Sequence, residues 1–168
     1  LAESEKWKNL VNRRYEDYVH RDAFIKMVRS GVLPWSVKAI VHMGACSSTT
    51  ERNADFLMEN NFHYSRDLCL YALSKGIRFI NASSGATYGD GRLGFSDSLE
   101  TMAKLAPLNM YGYSKLLFDR WAQRAGVLDK IASLRFFNVY GPNEYHKGDM
   151  KSVICKAFEQ IKEFGCIR

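Results

Sequence analysis

The sequence predicts an α/β fold built on a doubly wound parallel sheet, and three observations carry that expectation. Short apolar runs of strand length alternate with longer stretches of helical periodicity. The strand-like runs end in small or hydroxyl-bearing residues, Gly44-Ala45-Cys46-Ser47-Ser48 after one and Ser83-Ser84-Gly85 after the next, which is where open parallel sheets bind ligands. With 46% hydrophobic residues and only three prolines in 168 residues, the composition is that of one globular domain or a large piece of one.

Taken in order, Lys8 to Val11 is expected as a short strand. Asp22 to Arg29 is expected as a short helix, acidic in its first turn, basic in its last and stopped by Ser30-Gly31. Val37 to Met43 is almost continuously apolar apart from Lys38 and His42 and predicts a buried strand. The small residues that follow it let a ligand approach the backbone. Thr49 or Thr50 is placed to cap a long helix reaching to about Ser74, with Phe56, Leu57, Asn60, Tyr64, Leu68 and Tyr71 spaced for one face. A strand at Arg78 to Ala82 leads into an irregular stretch, glycine-rich at its start, that runs to about Leu108. A helix from about Asn109 to Arg124, a strand at Ile131 to Phe137 and an amphipathic helix from about Lys151 to Phe164 complete the pattern.

A doubly wound dinucleotide fold opens with a strand, a glycine-rich turn and a helix whose amino end holds a pyrophosphate. These residues contain no such turn, and they begin with Leu1. In the 3-2-1-4-5-6 strand order the first elements correspond to the third strand and third helix, with strands one and two lying between the strands near Lys8 and Val37. The expectation is that residues 1–168 are a partial, Rossmann-type NAD(P)-binding domain of a longer protein, without the first two strands and the C-terminal substrate region.

The net charge of +6 and pI near 9.2 suit a polyanion. The basic residues are scattered, however, and carry no recognition motif, so an anionic nucleotide is expected and nucleic acid is not. No apolar run of about 18 residues and no charged-then-apolar leader is visible, so no membrane partner is expected and the cytoplasm is the expected location. The four cysteines, Cys46, Cys69, Cys155 and Cys166, form no C-x-x-C and no metal-ligand spacing with the four histidines. They are expected to be reduced thiols, with no metal.

Candidate chemistry centres on Tyr111 and Lys115. On a helix, i,i+4 spacing sets a phenol beside an ammonium, where the cation stabilises a phenolate, so Tyr111 is a candidate base. Nine tyrosines and twelve lysines give roughly 0.6 such pairs by chance, and a second pair, Tyr71 and Lys75, reads as a helix end before Gly76. The Tyr111 pair differs in following a strand that delivers the hydroxyls of Ser83 and Ser84 at its carboxyl end. Tyr113, with Leu117 four residues on, reads as packing.

The longer runs are more specific. His42-Met43-Gly44-Ala45-Cys46-Ser47-Ser48-Thr49-Thr50-Glu51, Asn60-Asn61, Ala82-Ser83-Ser84-Gly85-Ala86-Thr87-Tyr88-Gly89, Pro107-Leu108-Asn109-Met110-Tyr111-Gly112-Tyr113-Ser114-Lys115, Phe136-Phe137-Asn138-Val139-Tyr140-Gly141-Pro142 and His146-Lys147-Gly148 together resemble the extended short-chain dehydrogenase/reductase family of nucleotide-sugar epimerases, over nearly the whole chain. The resemblance implies an isomerase with bound NADP, NAD being the alternative. It would act on an ADP-linked heptose of lipopolysaccharide biosynthesis by taking hydride from C6″ and returning it to the opposite face. The implied catalytic residues are Tyr111 and Lys147 as the proton acceptor and donor, Ser84 as a hydrogen-bond partner of the reacting oxygen, and Lys115 on the nicotinamide ribose. Cofactor contacts carry over to Met43, Gly44, Ala45, Cys46, Ser47, Asn60, Lys115, Val139 and Lys147, with Lys6 and Arg21 as candidates for the adenosine phosphates. Asn138, Asp149 and Lys156 map to substrate contacts, the last two departing from the small and imidazole side chains the family pattern leads one to expect. A homo-oligomer is also implied. Another nucleotide-sugar epimerase or reductase, and a non-catalytic NADP-binding relative, are the alternatives. A 4,6-dehydratase is disfavoured because Gly85-Ala86 stands where such enzymes carry an acidic pair.

Overall fold

The computed structural model describes residues 4–167. They form two compact units, one spanning Val19–Phe137 and the other joining the residues up to Tyr18 with those from Asn138 onward.

The first unit is built on three parallel strands, β1 (Ala39–His42), β2 (Arg78–Ser84) and β3 (Ala132–Phe136), which lie side by side in chain order. Around them are α1 (Arg21–Arg29), α2 (Ala54–Leu57), α3 (Tyr64–Ser74), α4 (Leu99–Lys104) and α5 (Met110–Arg124). Parallel neighbours need helical crossovers, and α2 with α3, then α4 with α5, supply them. The register sets Ile40 opposite Phe79, His42 opposite Asn81, and Ser84 opposite Phe136. The pleat sends alternate residues to opposite faces. Ile40 and Phe79 therefore share a face, and there they join Ile25 and Val28 of α1, Leu68, Cys69 and Ala72 of α3, and Phe118 and Ala122 of α5 in one core. Burying a side chain such as Phe79 or Leu68 is worth roughly 1.5–3 kcal/mol relative to exposure. On the other face Val41, Leu134 and Phe136 stay exposed, and the second helical layer of a doubly wound sheet is not among the described residues.

Strands and helices fall where the periodicity put them, with β2 running on to include Ser83 and Ser84. The Lys8 to Val11 strand is a correction. Glu5–Leu10 is a 3-10 helix whose first turn is capped by the Ser4 hydroxyl accepting from the Lys6 N–H. A four-residue run has no stability as a strand without a partner to pair with, and the described sheet has three adjacent strands with no central gap.

The long helix expected to reach Ser74 carries a π-helical turn, Met58–His63, between α2 and α3, and it starts not from Thr49 or Thr50, which lie in a turn, but from the Asn53 side chain, which accepts from Phe56 N–H at 2.9 Å. In the second unit, a 3-10 stretch at Tyr145–Met150 precedes α6 (Val153–Phe164). Ser152 caps α6 by accepting from Cys155 N–H, and Gly165 ends it in the left-handed region at φ 74°.

Candidate active site

The carboxyl ends of β1 and β2 and the amino end of α5 meet in the first unit. The loop after β1 leaves Met43, Gly44, Ala45 and Ser47 exposed and Cys46 half-buried. Cys46 is held from beneath: its N–H donates to Asn61 Oδ1 at 2.9 Å, and its carbonyl accepts from Asn61 Nδ2 at 3.0 Å. Asn61 is fully buried and also donates to Ser114 Oγ at 2.9 Å, while Ser114 donates to the Tyr111 carbonyl at 2.7 Å. One amide therefore ties the loop after β1 to the first turns of α5. Asn60, the expected cofactor contact, donates to the Phe56 carbonyl in its own helix at 2.8 Å.

His42 closes this region from the core side. Ser65 donates its hydroxyl proton to the Asn61 carbonyl at 2.7 Å, so in the 2.9 Å contact with His42 its Oγ accepts and the imidazole carries an Nε2–H that donates. Burial, and then the charge of Lys115, push the imidazole down to about 4, so it is neutral at physiological pH.

The end of β2 and the start of α5 are brought together by Gly112. A Cβ there would lie 2.7 Å from the Ala86 carbonyl oxygen and 3.0 Å from Pro107 Cβ. Without one, the helix turn bearing Tyr111 sits on the 3-10 turn Gly85–Tyr88 that follows Ser84. Asn109 caps α5, accepting from Gly112 N–H at 2.8 Å. Tyr111 is half-buried, and its phenol meets no hydrogen-bond partner among the described residues. Ser84 caps the 3-10 turn, accepting from Ala86 N–H at 3.1 Å, and its hydroxyl proton is left for another acceptor.

Lys115 is buried with its Nζ donating to the Ala82 carbonyl at 2.8 Å. Burial lowers its pKa to about 8, with Asp119 acting in the opposite direction. Asp119, one turn further along α5, is itself buried and accepts from Ser83 Oγ at 2.9 Å, Ser133 Oγ at 2.7 Å and Arg135 Nε at 3.3 Å. This pins α5 to β2 and β3 and so fixes where Tyr111 and Lys115 stand. It also gives Ser83 a structural partner, leaving Ser84 as the hydroxyl at the sheet's mouth.

In the second unit Lys147 Nζ lies 3.6 Å from Glu144 Oε2. Glu144 accepts from Ser152 N–H at 2.7 Å, Gly141 N–H at 3.0 Å and Ser152 Oγ at 2.9 Å. The two backbone donors, Ser152 first, hold its pKa down at about 2, so it is a permanent anion beside Lys147. Sequence reasoning passed over Glu144; the signal available was a carboxylate eight residues before a serine helix cap. Asn138, Val139, Asp149, Lys156 and Lys6 are exposed, and neither Asp149 nor Lys156 lines the groove of about 400 Å³ along α6. Arg21, at the start of α1, is exposed and 3.3 Å from Asp22.

The loop Met43–Ser47, small, open above and anchored below, fits the demands of a dinucleotide, which needs close backbone approach at the carboxyl end of a strand. Among the described residues no three His, Cys, Asp or Glu side chains gather to hold a metal, and no helix is long and apolar enough to cross a membrane.

Residues 12–165 match the NAD dependent epimerase/dehydratase family. The chain belongs to that family. Within it, the sequence is 72% identical over all 168 residues to the ADP-L-glycero-D-manno-heptose-6-epimerase of Nitratidesulfovibrio vulgaris strain DP4, covering 52% of that protein. It is 44% identical to the enzyme of the same name from Fusobacterium nucleatum, again over all of this chain and 52% of the relative. The crystal structure of Helicobacter pylori ADP-L-glycero-D-manno-heptose-6-epimerase superposes with a TM-score of 0.79 at 28% identity, over 95% of this chain and 50% of that one. The UDP-Glc/GlcNAc 4-epimerase of Campylobacter jejuni follows with a TM-score of 0.64 at 27% identity, over 83% and 44%. The chain spans about half the length of the curated relatives it matches. These family relatives are named as epimerases, isomerases by reaction class, and a family described as NAD dependent is one of nicotinamide cofactors.

Proposed function

We propose that residues 1–168 are the partial NADP-binding domain of an epimerase that converts ADP-D-glycero-D-manno-heptose to ADP-L-glycero-D-manno-heptose by transient oxidation at C6″. The observation that carries this reading is the 72% identity, sustained over the whole chain, to a relative of that name. A nicotinamide, when bound, supplies the hydride acceptor and donor for the oxidation and its reversal.

The chain's own residues do the rest. Met43 to Ser47 would hold the dinucleotide by their backbone, with Asn61 fixing the loop, and Asn60, Val139, Lys6 and Arg21 would add contacts, the last two to the adenosine phosphates. Lys115 would bind the nicotinamide ribose. Ser84, which has its hydroxyl proton to give, would donate to the reacting oxygen at C6″. Tyr111 would take and return the proton of that oxygen, and Lys147 would serve the opposite face, because inversion calls for a proton acceptor and donor on each side. Asn138, Asp149 and Lys156 would contact the nucleotide-sugar. The reading extends to a cytoplasmic homo-oligomer.

The test is turnover of ADP-D-glycero-D-manno-heptose in D2O by the protein carried at the length of its relatives. The product is expected to have inverted C6″ while keeping its C6″ hydrogen, as read by proton NMR, because hydride never exchanges with solvent. Deuterium at C6″ overturns the oxidation route, and net consumption of NADPH identifies a reductase instead.

A further inference from the structure

The loop between the Ser84 turn and α4 is turned by local backbone bonds, Gly91 N–H to the Tyr88 carbonyl at 3.2 Å and Gly94 N–H to the Gly91 carbonyl at 2.9 Å, and its two ends are joined by side chains. Tyr88 donates to Asp97 Oδ1 at 2.5 Å, so residues 88 and 97 clasp a glycine-rich segment in which Gly89, Gly91 and Gly94 all adopt left-handed φ of 66 to 77°. Such a segment has many alternatives to lose on ordering. The clasp is anchored by Arg135 of β3, whose side chain is only 9% exposed. Its Nε lies 3.3 Å from Asp119 Oδ2, its Nη1 lies 3.4 Å from Asp97 Oδ1, and its guanidinium sits 4.9 Å from the Tyr88 ring centre. A planar fork serves two carboxylates and a ring face at once, which an ammonium does not.

The ordered loop presents an aromatic surface beside the candidate reacting groups. Phe95 meets Tyr88 edge-on at 5.4 Å and Phe137 edge-on at 5.5 Å, while Tyr88 and Phe137 stack at 5.9 Å. Phe137 lies over Gly85, the residue after Ser84, so closely that a Cβ there would come within 2.8 Å of the ring. Phe95 is 62% and Phe137 59% exposed, which leaves ring faces suited to the C–H face of a sugar.

We propose that Arg135 is a positioning residue which, through Tyr88 and Asp97, holds the 89–98 loop as an aromatic wall for the sugar of the nucleotide-sugar. This rests on the functional reading above. Arg135 touches no reacting atom in it and acts by fixing Tyr88 and Asp97.

Removing Arg135 strands the buried Asp119 and endangers folding, so the test uses Tyr88→Phe, Asp97→Asn and their double variant in the protein at the length of its relatives. Each single variant is expected to raise KM for the nucleotide-sugar about tenfold with kcat held within about twofold, with NADP affinity unchanged and with no further loss in the double variant. Hydrogen exchange of amides 89–98 is expected to quicken about tenfold in each single variant. Unchanged KM in both singles, unchanged loop exchange, or an equal fall in NADP affinity each overturns the proposal. Exchange reads the clasp whether or not turnover is found. A wild-type protein without epimerase activity thus sinks the functional reading alone, and the clasp still stands or falls on its amides.

Discussion

Lys115 and Lys147 carry the same ammonium into opposite surroundings. Lys115 is 4% exposed, rests on one carbonyl, and is pushed by burial to about 8. The Lys147 side chain is 39% exposed and faces a carboxylate that three hydrogen bonds keep ionised. The contrast teaches that burial makes one lysine a cation that mild alkali removes, while a fixed anion makes the other a cation with a standing partner.

The comparison breaks most readily through activity. Lys115→Met in the protein at the length of its relatives is expected to lower turnover by about 10³-fold, and wild-type turnover is expected to fall above about pH 8 as Lys115 loses its proton; a flat rate to pH 10 would contradict the assignment. Stability gives the next effect. Lys115 has a folded pKa of about 8 against an ordinary 10.5, so between those values the unfolded chain binds more protons than the folded one. Stability should accordingly rise across that window, by about 3 kcal/mol, and denaturant titrations of Lys115→Met should lose the slope.

A smaller effect sharpens the contrast. His42 sits at about 4 through burial first and the Lys115 charge second, so in Lys115→Met its NMR titration should move up while staying below the ordinary 6.5. The smallest effect belongs to Glu144. Its carboxylate stabilises the fold above the ordinary 4.5, and that contribution is lost as pH falls towards about 2. Glu144→Gln should flatten the acid limb over that range, whereas the pH 8 to 10.5 slope should be untouched.

The strands at 39–42, 78–84 and 132–136 and the helix bearing Tyr111 were legible because long apolar runs and helical spacing report burial directly. Three things were hidden. The Lys8 to Val11 run is too short for period-two and helical patterns to be told apart. The helix Leu99–Lys104 lay unnoticed within the irregular stretch, although Ser98, which caps it by accepting from Thr101 N–H, offered a start signal. The π-helical turn mattered most: its extra residue shifts the helical phase, so the buried stripe runs Leu57, Asn61, Ser65, Leu68. Regular spacing pointed to Asn60, one residue away from the amide that holds the loop.

Gly112 has a consequence for engineering. The separation between the hydroxyl-bearing turn and the phenol-bearing helix is gauged by a single hydrogen atom, since a methyl in its place would meet the Ala86 oxygen at 2.7 Å. A one-carbon shim at this position would have to push the backbone of the Ala86 turn and the first turn of α5 apart, moving the phenol relative to the hydroxyl without altering either group.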